Sequence, residues 1–122
     1  MISGSFGNAG ELFFPLDLIS IDAESIIVDG LLDTGFTTGW LAVNIQDAES
    51  LGWLVMEFSR SMQTVRGEEF FDLYEGKVVI DGREFIIPVH ASEGIPEVLL
   101  GLQWLRRKRL VVDFPTGELT LG

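Results

Sequence analysis

The sequence predicts an all-β domain, a sheet closed or folded over on itself, with one or two short helices. Three observations carry this. Apolar residues recur with period two: in ELFFPLDLISI, Leu12, Phe14, Leu16 and Leu18 alternate with Phe13, Pro15, Asp17 and Ile19, with one lapse. Turn residues punctuate such runs at short intervals, Asp81-Gly82 and Pro115-Thr116-Gly117 among them. Helical stretches are few and short, so the strand–helix–strand units of a parallel α/β fold are missing.

The elements follow in order along one domain, residues 1–122, since a chain of 122 residues is the size of a single core. Residues 12–19 form the first clear strand, and Pro15 marks it as an edge or a bulge. Residues 24–32 form a second strand and residues 40–43 a short third. Residues 46–53, QDAESLGW, form a helix that Asn44 caps and Gly52 ends. Two strands, 55–63 and 70–80, flank the hairpin turn TVRGEE. Asp81-Gly82 is a two-residue turn into the strand REFIIPVH. EVLLG is a short buried strand, residues 102–108 a short helix, and LVVDF with ELTLG a last hairpin.

Composition narrows the function. Hydrophobic residues make up 47% of the chain, enough for a folded core. Nineteen acidic residues against eight basic ones give a net charge of −11, which repels nucleic acid and anionic membranes, so neither is expected as a partner. Half of the basic residues form the run Arg106-Arg107-Lys108-Arg109, which reads as a solvated helix end. No apolar run is as long as a membrane span, and the N-terminus lacks the pattern of a secretory leader, so a cytoplasmic location is expected. The absence of Cys removes disulfides, thiol catalysis and thiolate metal sites.

Little catalytic chemistry is left. The one histidine, His90, ends an apolar strand and reads as structural or exposed. No phosphate-binding glycine loop occurs, and no cofactor or metal is implied. The distinctive feature is Asp33-Thr34-Gly35 at the end of the run IIVDGLL. The Asp emerges from a rigid, low-dielectric strand. Gly35 lets the chain turn and bring N–H groups toward the carboxylate. Thr34 can hydrogen-bond to a neighbouring strand or chain.

Asp33-Thr34-Gly35, followed far downstream by Leu99-Leu100-Gly101, a short helix and a closing strand, resembles the retropepsin-like aspartic proteases, above all their small single-domain bacterial members. The order spans most of the chain. The resemblance implies a closed β-barrel that forms half of an acid protease, completed as a two-fold homodimer. In that family two nearby carboxylates share one proton and activate water. With one Asp-Thr-Gly per chain, each of two copies gives Asp33. Thr34 would lock the two loops and Gly35 would offer backbone hydrogen bonds. A hairpin around residues 62–69 would act as a flap over an extended peptide or protein substrate. Substrate contacts are expected from Phe36, Thr37, Met62, Val65, Arg66, Gly67 and Leu100. Phe36 stands where the family has a small residue, and is expected as a pocket wall. Gly101-Leu102-Gln103 lacks the arginine and hence the ion pair found there in retroviral enzymes. The chain ends, MISGSF and ELTLG, are candidates for strands between subunits. The alternative is a catalytically inactive dimerisation or peptide-binding module on the same fold.

Overall fold

A computed structural model describes residues 1–64 and 67–122. The strands are β1 (Ile2–Ser3), β2 (Ser5–Phe6), β3 (Leu12–Ile19), β4 (Ser25–Leu32), β5 (Leu41–Asn44), β6 (Leu54–Thr64), β7 (Gly67–Ile80), β8 (Arg83–Ser92), β9 (Leu99–Leu100), β10 (Leu110–Asp113) and β11 (Glu118–Leu121). One short helix, α1 (Ile45–Ser50), and one 3-10 turn, Leu102–Arg106, complete the described chain.

Six strands close on themselves in the order β3-β4-β9-β5-β8-β7, because β3 also pairs with β7 through Asp17↔Val79, Leu18↔Val78 and Ile19↔Lys77. This is a closed β-barrel, as the alternating pattern predicts. Residues with one parity point inward: Phe14, Leu16 and Leu18 of β3 are buried, as are Val78 and Ile80 of β7. Phe14, Leu41, Val43, Val78, Val89 and Leu100 form the solvent-free centre.

Local signals work as physics requires. Asp81 and Gly82 both have positive φ, the mirror-image turn that matches strand twist, and they join β7 to β8. The Asn44 side chain accepts from the Gln46 N–H at 2.9 Å and caps α1. Gly52, at φ +72°, turns the chain out of that helix. Pro15 needs a different account from an edge strand, because β3 is interior. It pairs with β4 along its length, but its other side meets β2 only at Leu12 and Phe13 and β7 only from Asp17 to Ile19. Pro15 sits in the gap between them, where a missing N–H is tolerated.

Ile2 and Ser3 pair antiparallel with Leu121 and Thr120 of the same chain, and Gly4 N–H donates to the Leu119 carbonyl at 2.8 Å. Leu119 and Leu121 are buried, so this small β1-β11-β10 sheet seals the bottom of the barrel from within. The terminal strands thus pair with each other inside one chain, and β1 and β10 form the two edges of the small sheet. The basic run lies as expected at the end of the 3-10 turn, with Arg106, Arg107 and Arg109 exposed.

Candidate active site

Asp33 leaves β4 just past Leu32, at the point where β4 runs parallel to β9. Its own N–H donates to the Leu100 carbonyl at 2.9 Å, so the start of the turn is fixed to β9. Gly35 N–H donates to Asp33 Oδ1 at 2.9 Å, and Phe36 N–H to the Asp33 carbonyl at 3.1 Å. The turn therefore holds the carboxylate by its own backbone. Thr34 is exposed at the tip of this turn.

The rest of the loop, to Trp40, is tied to the 3-10 turn. Leu102 N–H donates to the Phe36 carbonyl at 2.9 Å, and Gly101 N–H to the Trp40 carbonyl at 3.0 Å. Gln103 Nε2 donates to the Thr37 carbonyl at 2.8 Å, and Trp104 Nε1 to the Trp40 carbonyl at 2.7 Å. Neutral hydrogen bonds thus fasten the loop where an arginine ion pair is absent. Two glycines permit the close approach. A Cβ on Gly101 would lie 1.9 Å from the Gly39 carbonyl oxygen, and one on Gly39 would lie 1.9 Å from the Phe36 ring. Neither position has room for a side chain.

Phe36 is 9% exposed. Its ring fills the space left by Gly39 and Gly101 and meets the His90 ring edge to face at 5.1 Å. It supports the loop from below while still bordering the cleft. His90 in turn contacts Phe71 at 5.8 Å and is buried. Burial pushes its pKa down to about 4, with the Arg60 charge adding in the same direction. His90 Nδ1 is buried without a hydrogen-bond partner, which favours leaving that nitrogen unprotonated in a neutral ring.

Asp33 opens onto a cleft of about 300 Å³. Gly35 and Phe36 lie beside it, Met62 and Gln63 of β6 face it, Phe71 comes from β7, and residues 92–96 bound it at the far side. A second cavity of about 420 Å³ adjoins Gly35 and contains Thr37, Thr38, Arg60 and His90. Met62 and Gln63 border both, so the β6–β7 hairpin spans the two.

Most of the residues singled out from sequence converge here. Asp33, Gly35, Phe36 and Met62 border the first cleft, and Thr37 borders the second. Leu100 does not: it is fully buried, and strand alternation turns its neighbour Leu99 toward the cleft instead. Gly67 lies opposite Thr64 near the end of the hairpin, with φ +104°, and borders neither cavity. Val65 and Arg66 lie outside the described residues. Sequence reasoning passed over Phe71, the 92–96 segment, Arg60 and Thr38. The dipeptide Gly94-Ile95 ahead of Pro96 was the available signal for a loop at the cleft edge. Among the described residues no three His, Asp or Glu side chains converge as a metal site. None of their helices is long and apolar enough to cross a membrane.

A small closed barrel with an Asp-Thr-Gly turn at a strand end, facing a long hairpin, has the retropepsin-like fold. Solved structures bear out that class. A retropepsin-like aspartic protease from Rickettsia conorii superimposes with a TM-score of 0.69 over 99% of this chain and 88% of its own, at 24% identity. EIAV protease in complex with an inhibitor gives 0.61 over 88% of this chain and 99% of its own, at 17% identity. The retroviral protease-like domain of Ddi1 from Leishmania major gives 0.52 over 92% and 94%, at 15% identity. No protein-family model matches the chain, and no curated protein matches it by sequence.

Proposed function

We propose that the chain is one half of an aspartic endopeptidase that hydrolyses peptide bonds as a homodimer. The observation that carries this reading is the setting of Asp33. Its carboxylate stands on a turn fixed to β9 and opens onto a cleft faced by a hairpin long enough to cover an extended peptide. Two such carboxylates brought together about a two-fold axis share one proton. The ionised one takes a proton from water, which attacks the scissile carbonyl, while the protonated one donates to the carbonyl oxygen. Thr34, exposed at the turn tip, meets its counterpart in this reading. Gly35 supplies backbone groups beside the substrate. Met62 belongs to the hairpin that acts as the flap, to which Val65, Arg66 and Gly67 are also expected to contribute. The peptide adds as a strand beneath it.

The placement of Phe36 supports activity over an inert module. Its ring packs toward Gly39, Gly101 and His90, so it props the turn that holds the carboxylate. The test is cleavage of a peptide library from acid to neutral pH by the wild-type chain and by Asp33→Asn, with sedimentation at matched concentrations. Cleavage by the wild type alone, in a sample that sediments as a dimer, is the expected result. Cleavage retained in the variant, or a monomer at high micromolar concentration, would overturn it.

A further inference from the structure

The two cavities on either side of Gly35 carry opposite charge. The one at Asp33 also includes Glu93. The other has no carboxylate on its described walls. It has the Arg60 guanidinium, the hydroxyls of Thr37, Thr38 and Ser61, the Gln63 amide and His90. In a chain of net charge −11 an acid-free polar cavity runs against composition. Its donors come from three separate segments: the loop after Asp33, β6 and β8. Leu73, Pro88 and Met62 supply apolar walls, which raise the strength of any charge pairing formed inside.

Arg60 is held on the outside by Glu57, at 3.2 Å, and both side chains are about half exposed. An exposed pair of this kind contributes little, so it does not compete strongly with a carboxylate that arrives in the cavity. His90 adds a neutral imidazole to the wall, so it brings no negative charge. Ser61 already donates to Glu68 at 2.6 Å, so Arg60 with the Thr37, Thr38 and Gln63 side chains is the group that meets an anion, and the one fixed charge on the described walls is positive.

We propose that this cavity is a subsite for an acidic side chain, Asp or Glu, of the extended peptide whose scissile bond lies at Asp33. The assignment rests on the endopeptidase reading and gives it a substrate class: peptides with a carboxylate a short, fixed distance from the cleavage site. An acidic residue offered to the other cavity meets Asp33 and Glu93 and is repelled.

The experiment uses matched peptide pairs that differ only in Glu against Gln, scanned through each position around a cleaved bond. At one position the Glu peptide should be cleaved with about tenfold higher kcat/KM, the ratio that 1.4 kcal/mol of charge-assisted contact gives. Arg60→Gln should bring the Glu-to-Gln ratio of kcat/KM at that position close to one, and Arg60→Lys should restore part of the preference. Absence of any position that favours Glu, or a preference that survives Arg60→Gln, overturns the subsite. If no peptide is cleaved at all, the endopeptidase reading fails on its own, and the same pairs are compared by binding. His90 is the only histidine, so its ring resonances report contact at this cavity without assignment. Tighter binding of Glu peptides that depends on Arg60 and shifts those resonances keeps the subsite. Equal binding of both members of every pair overturns it.

Discussion

The floor and the cover of the cleft are built differently. The loop that carries Asp33 rests on Phe36, Leu41, Leu100 and Trp104, all buried, and is bonded along its length to β9 and the 3-10 turn. Across the cleft, β6 pairs with one strand only, and its side chains are exposed almost throughout. Leu54, Met56 and Phe58 are each more than half exposed. Its ladder with β7 shifts register twice, between Val55 and Glu57 and again between Glu57 and Arg60. Ser59 sits at φ +53° in the second shift, where its N–H donates to Asp72 Oδ1 at 3.0 Å. Such bulges bend and twist a strand. The difference teaches how the work is divided: barrel burial fixes the carboxylate, while the cover is held by backbone pairing and is free to change its angle to the floor.

Substitutions that separate floor from cover test this division. The largest effect falls on chemistry. Asp33→Asn should eliminate measurable peptide cleavage while its circular dichroism stays that of the wild type, since the amide preserves shape but cannot cycle a proton. Retained turnover would show that the floor does not hold the reacting group.

Phe36→Ala comes next. The ring is buried against two glycines that cannot fill the space, so urea denaturation should show a loss of about 3–5 kcal/mol. A loss below about 1 kcal/mol would place the ring with the cover, as a solvent-open wall.

The third effect depends on pH. His90 has a folded-state pKa near 4 against an ordinary value of 6.5, so folding favours its neutral form. Its contribution is fully present above about pH 6.5. It is lost as pH falls toward 4, because the unfolded chain then binds a proton that the folded one refuses. The loss is of order 3 kcal/mol at most. Replacing the ring by Leu should remove this component, so the difference between the stability profiles of the two proteins should change over that interval and level off below it. A difference that stays constant from neutral pH to 4 would mean that His90 is not sealed beneath the loop.

The smallest effect belongs to the cover. Phe58→Ser removes an exposed ring, and the midpoint of unfolding should move by less than about 0.5 kcal/mol in free energy. A loss comparable to that of Phe36→Ala would show that β6 is packed against a second surface in solution.

Much of the fold could be read from residues because the relevant physics is local. Asp81-Gly82 specifies its turn through two positive φ angles, and Asn44 specifies a helix start through one hydrogen bond. The Asp33 turn and its partner strand at Leu99-Leu100 were equally visible, since each pairs an apolar strand end with a glycine. Other features depended on which distant segments meet. Nothing in Ile2 or Leu121 says whether their strands pair within one chain or between two. Leu99 and Leu100 have the same chemistry, and only the strand's orientation decides which one faces the cleft. Thr38, Arg60 and His90 are far apart in sequence and become one cavity only when the loop after Asp33, β6 and β8 are in place.

The indole pair at the end of the loop has an optical consequence. Trp40 and Trp104 stand edge to face at 4.9 Å, with Phe85 5.2 Å from Trp104 and the Trp104 N–H bonded to the Trp40 carbonyl. Rings fixed in such a chiral arrangement give near-ultraviolet circular dichroism, which vanishes when packing loosens even if the strands survive. The same contacts that seat the Asp33 loop therefore make its order visible as ellipticity. Without substrate or label, a spectrum can distinguish a barrel with a seated loop from a barrel that has let it go.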